Sequence, residues 1–349
     1  MATSQAARPP MPPQARVMEM ICGYWVTQAL GVTARLNIPD LIGAGADQLP
    51  ALAEATGSDP DALFRLLRFL GSLGLLNRTD DDRYELTELG DCLRSDTPNT
   101  MRNLAILSSA EHYRIWGHLA DSLRTGEPSL ELALGAPLFT YLEAHPEAGT
   151  RFNNAMADLV RNVHRAAVSG YDFGAVKRVV DVGGGTGTLL AHLLSTHDHL
   201  TGVLFDLPHV VEKAIPVLTE AGVRDRCELV AGSFFTDPVP DNGDVYTMSL
   251  VLHDFNDERS RQILTSVRRS IPAHATMLIL EQVVPAGNEP HIGKLVDVNM
   301  LVISGGRERT EAEFGQLLSE TGFRLVRTLP SPTTLNAIVA RPEPSWRES

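Results

Sequence analysis

Cysteine is scarce here: three in 349 residues, at Cys22, Cys92 and Cys227. An odd, widely spaced set provides neither a disulfide framework nor a thiolate metal site. It points to reduced thiols in a cytoplasm. Basic residues are also short, with 30 Lys and Arg against 43 Asp and Glu and a net charge of −13. A nucleic-acid binder normally carries a basic face, so nucleic acid and anionic lipid are both poor partners. No apolar run approaches the roughly 20 residues that span a bilayer. The opening MATSQAARPPMPPQARV lacks an apolar signal core and is proline-rich, so residues 1–16 read as a flexible tail. No His, Cys, Asp or Glu cluster stands at metal-ligand spacing, so no metal is expected.

What is present is a globular composition, 43% hydrophobic and 21% charged, in a chain too long for one ordinary core. Residues 17–37 read as one amphipathic helix. Leu49, Leu52 and Ala53 continue at helical spacing. Ser58 is the expected N-cap of the next helix, with Pro60 in its first turn and Leu63, Leu66, Leu67 and Leu70 as its apolar stripe. Gly74 stops it, and LLNRT and RYELT flank the tip DDD as a hairpin. Helix, turn, helix and hairpin make a winged helix within residues 17–100. Its second helix offers only Arg65 and Arg68 to a polyanion, and its wing tip is three aspartates. An apolar packing or dimerisation module is therefore the better reading. Residues 101–172 read as helical, with breaks at TGEPS, LGAP and AHPEA.

From residue 173 to 349 the pattern changes to strands alternating with helices. RVVDVG, LTGVLFDLP, CELVAGSFF, DVYTMSLVLHDF and ATMLILEQVV read as five strands, with ERSRQILTSVRRSI among the helices between them. FRLVRTLPSPTTLNAIVAR reads as a final hairpin. The expected fold class is α/β: a mostly parallel Rossmann-like sheet with an antiparallel C-terminal hairpin, behind a helical N-terminal domain. In such sheets ligands sit beyond the carboxyl ends of the strands. The informative residues are therefore Asp181 and Gly183, Asp206, Ser233 and Phe234, and His253. The glycines run Gly183-x-Gly185-x-Gly187, and Thr188 stands where a dinucleotide fingerprint has its third glycine. Asp206 is spaced to accept from ribose hydroxyls, in either a dinucleotide or another nucleoside cofactor, and also suits an N-cap. No second βαβ half is present to hold a nicotinamide.

VVDVGGGTGTLL, FDLPHVV, AGSFFTDPVP, SLVLHDFNDER and ISGGRERTEAEF occur in that order. This series resembles the motifs of S-adenosylmethionine-dependent small-molecule O-methyltransferases of bacterial natural-product pathways, and the resemblance covers nearly the whole chain. It implies a class I methyltransferase sheet and a homodimer formed through the winged-helix domain. It implies S-adenosylmethionine as cofactor and S-adenosylhomocysteine as product. Gly183 and Gly185 would approach the methionine end, Asp181 its amino group and Asp206 the ribose. Ser233 and Phe234 would flank adenine, and Leu207, Gly232 and Ser249 complete the cofactor set. The chain departs from the commoner pattern at Ser233, where aspartate is usual, at Phe255, where tryptophan is frequent, and near Ser249, where a basic residue is frequent.

The implied reaction is an in-line displacement at a methyl carbon, which needs alignment and a deprotonated acceptor. A phenol has a pKa of about 10, so a neutral imidazole is a suitable base. His253 is assigned that role because Asp254 and Asn256 are the better helix-capping types. Glu308 and Glu281 are chosen to hold it. Glu313 belongs instead to a capping box with Thr310, and Glu311 faces solvent. Trp116, Phe152, Met156, Asn299, Met300 and Ile303 are the expected wall for a small aromatic hydroxylated substrate, with Asp257 a lesser contact. Two other readings stand beside this one. The same scaffold can use the sulfonium for hydroxylation, decarboxylation or pericyclic chemistry, and a winged helix can serve a ligand-responsive DNA-binding regulator.

Overall fold

The computed structural model describes residues 11–98 and 100–346. Most of the expected tail, residues 1–10, lies outside them; its remainder is not all extended, because a helix begins at Pro13. The chain divides into two compact units. One runs to Tyr113 and takes in His145–Asp158; the other comprises Arg114–Ala144 and resumes at Leu159. The helical stretch 101–172 is thus shared between both.

In the first unit the expected single helix over 17–37 is two, Pro13–Ile21 and Gly23–Arg35, which meet at Cys22. Helices Leu49–Thr56 and Pro60–Ser72 follow. The N-cap of the latter is Asp59 rather than Ser58, because the Asp59 carboxylate accepts the Ala62 N–H at 2.9 Å. Ser58 instead hydrogen-bonds Thr56 at 2.8 Å. Strands β1 (Leu76–Arg78) and β2 (Tyr84–Leu86) pair antiparallel, with Leu76 opposite Leu86. The winged helix closes over Ile38, Leu52, Leu63, Leu67, Leu70 and Tyr84, all buried. The hairpin's arginines are spent locally: Arg78 pairs with Asp82, and Arg83 with Asp81 and Asp47.

The second unit is built on a seven-stranded sheet. Its strands are β3 (Arg178–Val182), β4 (Thr201–Asp206), β5 (Cys227–Ala231), β6 (Val245–Ser249), β7 (Thr276–Glu281), β8 (Phe323–Leu329) and β9 (Asn336–Pro342). They lie in the order β5-β4-β3-β6-β7-β9-β8. The first five are parallel, and β9 is antiparallel to both β7 and β8. The interior strands read as unbroken apolar runs because both faces are covered. Helices Thr188–Thr196 and Pro208–Glu220 bury one face through Leu189, Leu190, Leu193 and Leu218. Helices Asp257–Ser270 and Glu311–Glu320 bury the other through Ile263, Leu264, Val267 and Leu318.

Strands β5, β6 and β7 stop earlier than their expected runs, β7 at Glu281. β5 ends at Ala231, leaving SFF in a turn. β6 ends at Ser249, and His253 lies beyond it in the 3₁₀ turn Leu252–Asp254. Leu250 takes the left-handed conformation, φ 53°, and the chain leaves the sheet there. A non-glycine residue in this region costs about 1–3 kcal/mol, and such strain persists where the surroundings over-determine it.

Candidate active site

The glycine turn follows β3. Gly183, Gly185 and Gly187 all have positive φ, which a side chain would oppose. Gly183 N–H donates to the Phe205 carbonyl at 2.8 Å, holding the turn against the end of β4. A Cβ on Gly183 would stand 2.9 Å from Val251, whereas one on Gly185 would meet nothing within 4 Å. The turn is therefore tight on the protein side and open above Gly185.

Two carboxylates flank it. Asp181 is buried; one oxygen accepts the Thr247 hydroxyl at 2.7 Å, and the other has no hydrogen-bond partner among the described residues. Burial pushes its carboxyl up to about 7, against the Thr247 bond that lowers it and with the nearby Asp206 adding to the rise. Asp206, at the end of β4, accepts the Gly185 N–H at 2.8 Å and the Leu207 N–H at 2.7 Å. Burial raises its carboxyl too, opposed by those two bonds. Gly232 sits where a Cβ would meet the Phe205 ring at 2.6 Å, and its N–H donates to the Asp206 carbonyl at 2.9 Å.

Ser233 opens a turn that closes on itself. Its N–H donates to Asp237 at 2.9 Å, and its hydroxyl accepts the Phe235 N–H at 3.3 Å. Phe234, Phe235 and Phe255 form an edge-to-face cluster, with centroids 4.8 to 6.1 Å apart, and the Arg259 guanidinium lies 3.9 Å over Phe235. Ser249, at the end of β6, pairs with His164 Nε2 at 2.7 Å. Burial holds the His164 ring neutral, its pKa pushed down to about 4.

His253, Glu281 and Glu308 come together although they are distant in sequence. His253 Nδ1 is 3.0 Å from Glu308 Oε1 and 3.8 Å from Glu281 Oε2. Glu281 Oε1 accepts from the backbone N–H groups of Val251, Leu252 and His253 at 3.0, 2.9 and 3.3 Å. The Gln282 side-chain amide donates to Glu308 at 3.4 Å, and the Glu308 N–H donates to Asp297 at 2.8 Å. Burial by itself would lower the imidazole pKa. The Glu281 charge, the Glu308 hydrogen bond and the Asp254 charge outweigh it and raise it to about 10. Glu281 is pushed up to about 7 by burial, against the pull of His253. Among the described residues this is the one trio of such side chains whose atoms could converge on a metal ion, within 4.8 Å of one another.

Residues 116–324 match an O-methyltransferase domain, and residues 18–96 an O-methyltransferase dimerisation domain. The chain belongs to the S-adenosylmethionine-dependent small-molecule O-methyltransferases. It is 44% identical to the phenazine O-methyltransferase PhzM of Lysobacter antibioticus, over 95% of this chain and 97% of that one. The solved structure of human N-acetylserotonin methyltransferase in complex with S-adenosylmethionine superposes with a TM-score of 0.86. It is 26% identical and covers 98% of this chain and 100% of its own. A further relative methylates nitrogen by name, the 8-amino-8-demethylriboflavin N,N-dimethyltransferase of Streptomyces davaonensis. It is 34% identical over 88% of this chain and 89% of that one. The sheet order is that of class I methyltransferases, as the resemblance implies.

In this methyltransferase the expected wall residues divide between the two units. Trp116 Nε1 donates to Asn299 Oδ1 at 2.8 Å, tying two of them. Met300 and Ile303 continue along the helix Ile292–Ile303, half-buried. Phe152 and Met156 lie in the first unit. Asp257 is paired within the chain: one oxygen takes Arg309 at 2.9 Å and the other Arg307 at 3.1 Å. Arg309, Asp297, Gln282 and His164 were not among the expected site residues. Arg309 is adjacent to Glu308 in GGRERT, but its acceptors are scattered, so no spacing announces it. His164 sits on a helix with no visible partner until β6 arrives beside it.

Proposed function

We propose that this methyltransferase moves a methyl group from S-adenosylmethionine to a phenolic hydroxyl of an aromatic, polyketide-like natural product, with His253 as general base. The observation that carries the reading is the fixed imidazole. Glu308 holds Nδ1 at 3.0 Å, while Nε2 lies 3.8 Å from Asp254 and makes no hydrogen bond among the described residues. One nitrogen is thus anchored by a carboxylate, and the other, once deprotonated, faces the acceptor's proton, the arrangement that general-base catalysis uses.

The residues fit the cofactor. The partnerless oxygen of Asp181 suits an ammonium group, and Asp206, partly exposed, keeps lone pairs for ribose hydroxyls. The open space above Gly185 lets a ligand approach the backbone. Phe234 offers a face to adenine, with Ser233, Gly232, Leu207 and Ser249 around the rim. When bound, S-adenosylmethionine supplies the electrophilic methyl carbon and a neutral thioether leaving group.

The protein's own task is the acceptor's proton. Two carboxylates raise the basicity of His253 toward that of a phenol, about 10. Raising the basicity of the imidazole lowers the uphill cost of proton transfer from the phenol. The same effect favours the protonated imidazole in free enzyme at neutral pH, so the Nε2 proton must first pass to solvent while Nδ1–H stays on Glu308. Alignment of oxygen, carbon and sulfur by the pocket supplies the rest, on the order of 7–11 kcal/mol at best. No metal takes part in this reading.

A homodimer is inferred from the exposed apolar side chains of the first two helices. Val17, Met18, Met20, Ile21 and Trp25 are each more than half exposed, with Tyr24 close behind. Contiguous apolar surface of this kind marks an interface.

The test is incubation with methyl-labelled S-adenosylmethionine and a panel of hydroxylated and amino-substituted aromatics. The expected product gains one methylene on oxygen, with S-adenosylhomocysteine released in equal amount. Methyl on nitrogen would move the reading to an amine acceptor, as in the riboflavin-type relative. Product without added methyl would move it to non-methylating chemistry.

A further inference from the structure

Arg309 is the largest fully buried side chain among the described residues, 1% exposed, and its guanidinium is committed to the loop that carries His253. Nη1 donates to the Leu252 carbonyl at 3.0 Å, and Nη2 to the Phe255 carbonyl at 3.1 Å. Nη2 also reaches Ser260 Oγ at 3.0 Å, and Nε and Nη2 both reach Asp257 Oδ1, at 3.1 and 2.9 Å. The clamp therefore grips one residue before His253 and two after it.

The other end of the clamp is Glu308, which directly precedes Arg309 in the chain. The main chain around it is locked as well. The Arg309 carbonyl accepts the Val284 N–H at 3.0 Å, just beyond β7, and the Arg307 N–H donates to the His253 carbonyl at 2.9 Å. Gly306 allows this approach: a Cβ there would lie 1.9 Å from that same carbonyl. Base and carboxylate come from segments 55 positions apart, and one planar side chain spans both.

We infer that Arg309 is a positioning residue: it sets the register between His253 and Glu308, and so the direction in which the imidazole presents Nε2. This rests on His253 being the base. Lysine cannot replace it, because a point ammonium with three donors cannot meet diverging carbonyls, a hydroxyl and a carboxylate together. A residue that only stabilised the fold would give variants with lower melting temperature and intact turnover per folded molecule.

The experiment is Arg309→Lys in the full chain, assayed well below its melting temperature beside His253→Ala and Glu308→Gln. The expected result is a kcat lowered by about 100-fold, the order that a misplacement near 1 Å produces, with the dissociation constant for S-adenosylmethionine unchanged. The alkaline-rising limb of its rate profile should move to lower pH, as in Glu308→Gln. In the Glu308→Gln background Arg309→Lys should add little further loss, because both act on one contact. If Arg309→Lys does not fold, Asp257→Asn, which frees the outer end of the guanidinium, is read in the same assays with a smaller kcat loss expected. Full kcat with a lowered melting temperature, or losses that simply add, overturns the inference. A His253→Ala variant of normal rate overturns instead the reading on which it rests.

Discussion

Glu281 holds His253 twice. One carboxylate oxygen accepts the His253 backbone N–H at 3.3 Å, together with those of Val251 and Leu252, and the other lies 3.8 Å from the ring. The same group therefore fixes where the loop runs and raises the basicity of what the loop carries. Glu308 adds the direct 3.0 Å contact. Loop geometry and imidazole charge are coupled in one buried trio.

His253→Ala should keep affinity for S-adenosylmethionine and lose most turnover, by about 10²–10⁴-fold, the usual contribution of a general base. Calorimetric binding and product formation by mass spectrometry check the two halves. A wild-type rate would remove His253 from the chemistry.

Rate should rise with pH above neutrality. The free imidazole is raised to about 10, so its neutral, proton-accepting form grows as pH climbs toward that value. Glu281→Gln or Glu308→Gln removes a negative neighbour, lowers the imidazole pKa, and should shift the rising limb to lower pH. A kcat/KM profile across pH 6 to about 10 reads this directly.

Stability should run the opposite way. His253 is raised above its ordinary 6.5, so it contributes fully below that pH and loses the contribution as pH rises through about 10. Glu281 and Asp181 are raised to about 7 and lose theirs as pH rises through that value. The melting temperature of wild type should therefore fall from pH 7 to 10 more steeply than that of His253→Ala. Equal slopes in a fluorimetric melt would argue against the coupling.

Gly183→Ala should weaken cofactor binding and cost roughly 1–3 kcal/mol of stability. Its φ is +70°, and the new methyl would press on Val251 at 2.9 Å, next to the loop that Glu281 holds. Denaturant melts and a cofactor titration measure the two effects. Gly185→Ala meets no protein atom within 4 Å, so its damage should fall mainly on cofactor affinity.

Chelation with EDTA should leave the rate unchanged. One oxygen of Glu281 is taken by three backbone N–H groups, and one of Glu308 by His253 and Gln282. Zinc added in excess should instead inhibit by competing for His253. A loss of activity on chelation, restored by a divalent ion, would overturn the metal-free reading.

Much of the fold is legible in the sequence. The run RVVDVGGGTGTLL states a strand, a tight glycine turn and a helix, because glycine takes positive φ without cost; which three of the four glycines do so only the structure decides. The apolar continuity of ATMLILE announces a strand covered on both faces. The capping box at Thr310 and Glu313 is equally local, and it forms as its spacing predicts. The failures are local too. Ser58 loses the cap to Asp59, one residue nearer the helix, and the apolar run around His253 outlasts its strand. Nothing in LVLHDF reveals that Leu250 will turn left-handed where its N–H donates to the Leu280 carbonyl of β7, a contact between distant segments.

By itself the sequence determined the residue types at the carboxyl ends of the strands, and so the kind of ligand and chemistry the site can hold. Periodicity and glycine placement act over a few residues, and a linear reading recovers them. Tertiary structure alone decided that Glu281 grips three N–H groups, that Glu308 reaches Nδ1, and that Arg309 spans both loops. Those contacts join segments whose order along the chain carries no distance. Only the packing of the sheet and its helices brings them within hydrogen-bond range.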